Sequence, residues 1–198
     1  MARKFLPLLK GYRMRSKVEA RWGVAFSMFG WEWSHEPEGY YVLGDGSVYL
    51  PDFYVIGVGW HEIKSDAQGK YDRELDMLHD VVKLEHKAKP GYFLAGYIPD
   101  PTVNGRDKVL MRKGVYGNLK ITHLATTPGF RTTEVGFCVC ETCGKVGIEW
   151  HARGALVCGS GHMTDVKKQN GDHPKLLEAF AAARAYDPQE EPQYEVQT

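Results

Sequence analysis

The apolar residues of this 198-residue chain change period at residue 30. Before it, Met14, Val18, Trp22, Ala25, Phe26 and Phe29 recur at spacings near 3.6, one stripe along a helix. The pattern spans residues 13–29. Ser16, with Glu19 three positions on, has the spacing of a capping box, so the regular helix is expected to begin at Ser16. After residue 30, Trp31-Glu32-Trp33-Ser34-His35 alternates with the period of a strand. Residues 40–43 and 48–50 flank Gly44-Asp45-Gly46-Ser47, a run that tolerates positive φ, and read as a β-hairpin whose second strand continues through residue 56. Gly57-Val58-Gly59 turns the chain into the next strand, Trp60-His61-Glu62-Ile63-Lys64. The 3.6 spacing returns over residues 72–88, with Leu75, Leu78, Val81, Val82 and His86 on or near one face, and Lys89-Pro90-Gly91 ends it. Residues 92–98 are an apolar run of strand length. Helix, three strands, helix, strand makes an α/β domain with a mixed sheet.

Beyond residue 98 the punctuation is denser. Val109-Leu110-Met111 and residues 119–124 read as further strands, and Asp172-His173-Pro174 opens a short helix with Leu176, Leu177, Phe180 and Ala183 on its apolar side. The last dozen residues are expected to be disordered. This divides the chain into a core with a basic N-terminal stretch (1–132), a cysteine-bearing module (133–168), and a C-terminal helix with an acidic tail (169–198). At 43% hydrophobic and 25% charged residues, disorder as the main state is excluded. No apolar run approaches the ~20 residues of a membrane span. The start, MARKFLPLLKG, has too short an apolar stretch for a signal peptide. A cytoplasmic protein without a membrane partner is expected. The P-loop pattern G-x4-G-K-S/T is absent, as are G-x-G-x-x-G, G-x-S-x-G and H-E-x-x-H, so no nucleotide cofactor is expected.

The acidic residues supply the chemistry. Side chains two apart on a strand point the same way, so Glu62 and Lys64 share a face and Ile63 faces the opposite layer. Asp52 lies on the preceding strand, which a short turn brings alongside. Two carboxylates, with the Ile63 carbonyl, suit Mg²⁺ or Mn²⁺. Lys64 beside them would orient or help deprotonate a nucleophilic water, a combination suited to metal-assisted phosphodiester hydrolysis. His61 has the opposite parity to Glu62 and reads as packing or surface, while Tyr54 shares the parity of Asp52 and could line the site, although a core position suits it better.

Pro51-Asp52, nine residues, then Glu62-Ile63-Lys64 resembles the PD-(D/E)XK nuclease superfamily, over residues 11–98. The segment from Tyr12 to Trp22, with Glu36-Pro37-Glu38-Gly39-Tyr40 and Tyr49-Leu50-Pro51-Asp52-Phe53, looks like small nucleases encoded by bacteriophages and mobile elements of actinobacteria. The resemblance implies a restriction-endonuclease-like core. It also implies that Asp52 and Glu62 bind the catalytic metal, that Lys64 serves the nucleophile, and that Glu19 on the first helix completes the site. The host cytoplasm would then be the location.

Formal charge is balanced at 25 basic and 25 acidic residues, but unevenly placed. Residues 1–22 carry Arg3, Lys4, Lys10, Arg13, Arg15, Lys17 and Arg21 against Glu19 alone. Residues 106–120 form a second basic stretch. Both are candidate phosphate contacts for a DNA partner, with Tyr12, Trp31 and Trp33 as candidate stacking residues, although burial suits the tryptophans better. Competing readings are a non-catalytic nucleic-acid-binding or scaffold protein of the same fold, a dimeric junction resolvase, and an RNA nuclease.

All four cysteines, Cys138, Cys140, Cys143 and Cys158, lie within 21 residues. Clustering of this kind in an intracellular chain points to metal rather than to a disulfide framework. Cys140-Glu141-Thr142-Cys143-Gly144 is a C-x2-C-G knuckle, and Cys158 with His162 supplies two more donors, a Cys3His set for structural Zn²⁺. His151 in place of His162, and Cys138 in place of Cys140, are the alternatives. Such a module would grip DNA or staple the C-terminal region to the core.

Overall fold

The computed structural model describes residues 8–37, 39–64, 72–85, 91–95, 98, 115–116, 119–120, 122–123, 133–150, 155–158, 162 and 173–187. Its elements are β1 (Leu8–Leu9), β2 (Tyr12–Arg13), α1 (Lys17–Met28), β3 (Trp33–His35), β4 (Tyr41–Val42), β5 (Val48–Tyr49), β6 (Phe53–Val55), β7 (Gly59–Ile63), α2 (Asp72–Glu85), β8 (Gly91–Ala95), β9 (Val115–Tyr116), β10 (Leu119–Lys120), β11 (Thr122–His123), β12 (Thr133–Val139), β13 (Val146–Trp150), β14 (Ala155–Cys158) and α3 (Pro174–Ala185). Eight strands share one sheet in the order β14-β13-β12-β11-β8-β7-β6-β3. The chain is therefore mixed α/β. β7 and β8 run parallel, with Glu62 opposite Leu94, while the other neighbours in this sheet are antiparallel. Parallel neighbours need a crossover, and α2 supplies it.

α1 starts where its capping residues dictate. Ser16 is the N-cap, extended at φ −146°, and its hydroxyl accepts from the Glu19 N–H. The stripe read from the sequence is the buried face: Trp22, Ala25 and Phe26 are buried, and Phe29 caps the helix. Residues 13–15 are not helical. Arg13 belongs to a small hairpin, β1–β2, whose turn residues Lys10 and Gly11 both have positive φ (51° and 82°), the backbone that matches strand twist in a two-residue turn.

The second hairpin is also divided differently from the sequence reading. β4 and β5 form a sheet of their own, and the chain breaks at residues 50–52 before β6 begins. Pro51 has no N–H to give a ladder, so a continuous strand through it is disfavoured. α2 ends at Glu85; the expected extension to residue 88 and the strand at 109–111 lie outside the described residues.

Two clusters of buried side chains occupy the two sides of the sheet. Trp22, Phe26, Phe29, Phe53, Val55, Ile63, Phe137, Val139, Val146, Leu176 and Phe180 pack together, so α1 and α3 lie over one side. Leu43, Tyr49, Trp60, Leu78 and Val81 pack on the other, under α2 and the β4–β5 hairpin. Residues from the segments 1–132, 133–168 and 169–198 meet in the first cluster. Trp31, buried in it, donates its indole N–H to the Val146 carbonyl at 2.9 Å.

Candidate active site

Phe53 pairs with His61 in the β6–β7 ladder, so Asp52 falls opposite Glu62 one step further along. The side chain of Asp52 turns onto the neighbouring strand, where Oδ2 accepts the Ile63 N–H at 2.6 Å. Its carbonyl accepts the Glu36 N–H at 3.0 Å, which ties the same residue to the end of β3. Asp52 and Glu62 are 4% and 5% exposed, unusual for carboxylates.

Both oxygens of Glu62 are held. Oε1 pairs with Lys64 Nζ at 2.6 Å, and Oε2 accepts the Tyr49 hydroxyl at 2.6 Å. Lys64 also reaches Glu74, on the first turn of α2, at 3.7 Å. The grouping of Asp52, Glu62 and Lys64 read from the sequence is thus present at the ends of β6 and β7.

Glu19 occupies the first turn of α1 and is buried. Oε1 accepts from the Ser16 hydroxyl at 2.8 Å, and Oε2 accepts the Arg15 N–H at 2.8 Å and meets His35 Nε2 at 3.2 Å. The box therefore reaches one residue further back than the usual N-cap N–H. Glu19 is both a capping residue and a member of the acidic group, because its charge acts on Asp52. The carboxylates do not close around a point: among the described residues, only Cys140, Cys143 and His162 form a set of three metal-capable side chains whose ligand atoms all lie within 4.8 Å of one another.

Burial pushes the Asp52 pKa well above the ordinary carboxylate value, and repulsion from Glu62 and then Glu19 adds to it; the Ile63 N–H and Lys64 oppose. Burial also raises Glu62, against the attraction and hydrogen bonds of Lys64 and Tyr49. For Lys64, burial favours the neutral amine, but the carboxylates of Glu62, Asp52 and Glu74 together outweigh it and the net shift is upward, so Lys64 is an ammonium. Burial and the Glu62 charge keep Tyr49 a neutral phenol and a donor. Glu19 moves the other way: burial raises its pKa, and the bonds from His35, Ser16 and Arg15 bring it below the ordinary value.

His61 lies on the α1 side, 2% exposed, its ring 5.0 Å from Phe26. Burial pushes its pKa down to about 3, so it is neutral and packs, as its parity implies. Tyr54 is half-buried against Trp60 at 4.8 Å. Ile63 meets Asp52 through its N–H. Sequence reasoning missed Tyr49, His35 and Glu74. The alternation of β3 put His35 on the face of Trp31 and Trp33, and Glu74 begins a helix beside the site. Tyr49 had no comparable signal, since its partner is thirteen residues away across a turn.

A second centre lies on the far half of the sheet. Cys140, Cys143 and His162 come together, with Cys140 Sγ 3.7 Å from His162 Nδ1. The knuckle is closed by the Gly144 N–H on the Cys140 carbonyl at 2.7 Å and the Cys140 N–H on the Lys145 carbonyl at 2.8 Å. Gly144 has φ +66°, where a side chain is strained. Burial raises the Cys140 thiol pKa, but the N–H groups of Cys143 and Thr142, the Cys143 side chain and His162 outweigh it and bring the value to about 6. Two thiols, an imidazole and N–H groups directed at sulfur suit a metal ion such as zinc. The backbone of Cys158 ends β14, opposite Gly147, and the backbone of Cys138 lies opposite Gly147 on β12. The side chains of Cys158 and Cys138, all of His151, and the side chains of residues 106–120 lie outside the described set.

No helix among the described residues is long and apolar enough to cross a membrane. No family model, curated protein or solved structure matches this chain.

Proposed function

We propose that the chain is a divalent-metal-dependent nuclease that hydrolyses phosphodiester bonds in DNA, with a restriction-endonuclease-like core of the PD-(D/E)XK type. The observation that carries this reading is the placement of two buried carboxylates, Asp52 and Glu62, across adjacent strands, with the Lys64 ammonium 2.6 Å from one of them. Burying like charges together is unfavourable for the fold alone. A divalent cation held by Asp52 and Glu62, with the Ile63 carbonyl, would relieve that repulsion, lower the pKa of water and offset the charge that develops on phosphate. Glu19, presented by the N-terminus of α1, would hold the same ion directly or through water.

The residues of the chain then divide the task. Asp52 is fixed by the Ile63 N–H. Lys64 is charged, so it acts as a donor that orients water and meets the phosphate rather than as a base that removes a proton. The β1–β2 hairpin supports DNA as the partner. Tyr12 packs against Trp33, the rings 5.6 Å apart and tilted by 41°, and approaches His35, the partner of Glu19. Lys10 lies 5.2 Å over the Trp33 ring, and exposed Arg13 is on the same hairpin. Zinc at Cys140, Cys143 and His162, completed by Cys158, would be structural, since four such donors leave no open position.

Supercoiled plasmid and circular single-stranded DNA test the reading. Cutting is expected with Mg²⁺ or Mn²⁺, none with EDTA, and none in Lys64→Ala. Circles have no ends, so any product identifies an endonuclease. Cutting that persists in Lys64→Ala would remove this site from the reaction. Replacing Lys10 and Arg13 with alanine should weaken DNA binding and flatten its salt dependence by roughly one to two released counterions; an unchanged salt slope would remove the hairpin from the DNA path.

A further inference from the structure

We infer that Tyr49 is a positioning residue of this site, setting the affinity of the divalent cation by fixing the carboxylate of Glu62 from the side opposite Lys64. The inference rests on the nuclease reading of the site.

A carboxylate on a strand end can rotate about its terminal bond and swing about the others. Two donors on its two oxygens remove that freedom, and Glu62 has two, each at 2.6 Å. They differ in kind. Lys64 is a partly exposed, flexible ammonium that also reaches Glu74 and, on the nuclease reading, serves the reaction itself. Tyr49 is a planar, buried side chain packed with Leu43, Trp60, Leu78 and Val81. Its hydroxyl can therefore be a fixed point where the ammonium cannot. An oxygen that accepts one hydrogen bond retains a lone pair, so the Tyr49 bond leaves Glu62 able to bind a cation and sets the direction from which it does so. Partners of this kind tune metal ligands by 10–100-fold in affinity.

The fold supplies the hydroxyl through a separate element. β5 belongs to the two-stranded β4–β5 sheet, not to the sheet that carries Asp52 and Glu62. The tyrosine is held there by the pairing of Tyr49 with Tyr41, which itself lies edge-on to Trp60 at 5.7 Å. One side of the hairpin thus docks on the strand that bears Glu62.

The test is Mn²⁺ binding followed by the electron paramagnetic resonance of the free ion, on the full chain carrying one equivalent of Zn²⁺ and without DNA. The wild-type chain is expected to bind Mn²⁺, and Asp52→Asn to lose that binding. Tyr49→Phe, which removes one oxygen and keeps the ring, is expected to raise the Mn²⁺ Kd about tenfold or more. In a Glu62→Asp background, which keeps a carboxylate for the cation but draws it back from the hydroxyl, the same substitution should change the Kd by less than about twofold, because Tyr49 acts through Glu62. A Tyr49→Phe Kd equal to or tighter than wild type overturns the inference and leaves the metal site standing. A tenfold loss that persists in Glu62→Asp assigns the effect to packing and also overturns it. Wild-type binding insensitive to Asp52→Asn overturns the site reading itself.

Discussion

At the scale of single residues, Asp52 and Glu62 hold their negative charges under strain. Their raised pKa values mean that the folded chain takes up protons more readily than the unfolded one above the ordinary values of 3.8 and 4.5. Stability therefore falls as pH rises from those values through the raised ones. Glu19 has the opposite sign: its lowered pKa contributes stability above 4.5 that is lost as pH falls through its folded value. Asp52→Asn keeps an oxygen for the Ile63 N–H and removes one charge. In EDTA at neutral pH we expect its thermal midpoint to exceed that of wild type, by roughly 2–4 °C for each kcal/mol of repulsion relieved, and the proposed nuclease activity to be absent once metal is restored. The gain should vanish below pH 3.8, where the aspartate is protonated in both states. Thermal melts across pH check this, and a lower midpoint at neutral pH would show that the charge of Asp52 is well compensated without metal.

At the scale of elements, the thiol cluster belongs to the core. Val146 starts β13 beside the knuckle, is buried, and receives the Trp31 indole N–H through its carbonyl. Lys175, on the first turn of α3, donates to the Gly144 carbonyl at 3.0 Å. Loading the cluster with Zn²⁺ should raise the thermal midpoint and slow hydrogen exchange at α3 amides, and chelation should reverse both. Cys143→Ser should abolish both responses, and Lys64→Ala should abolish neither. Exchange at α3 unaffected by chelation would uncouple the cluster from the helix. How far these elements could be read from the chain follows from how local their causes are. The start of α1 is written in Ser16 and Glu19, three residues apart. The knuckle is written in Cys140, Cys143 and Gly144. The β1–β2 turn was written in Lys10-Gly11 and passed over, since a basic stretch draws attention to charge before backbone. β12 was hidden for another reason: Phe137 and Val139 alternate inward, but they are interleaved with the first two cysteines, and metal chemistry explained the segment without a strand. The bonds of Trp31 to Val146 and Tyr49 to Glu62 were not legible, because no pattern in either segment names a partner across a turn or across 115 positions.

At the scale of the whole molecule, one sheet carries both centres. Three strand steps, β7 to β8 to β11 to β12, separate the acidic group from the strand that leads into the knuckle, about 14 Å at the usual spacing. α1 touches both halves: Glu19 faces the acidic group, while Trp22 and Phe29 pack against Phe137 and Phe180, with Phe29 5.2 Å and 5.6 Å from them. That last arrangement governs how the protein is made. Phe29 and Phe180 are 151 positions apart. At about 5–20 residues per second, a ribosome needs roughly 8–30 s to synthesise the second after the first. Throughout that interval Trp22 and Phe29 lack the cover of Phe180, although Trp31 and Phe53 reach the same face of α1 far sooner. A fragment that stops before α3 leaves that patch of α1 without its last aromatic partner, an apolar surface of the kind that favours aggregation.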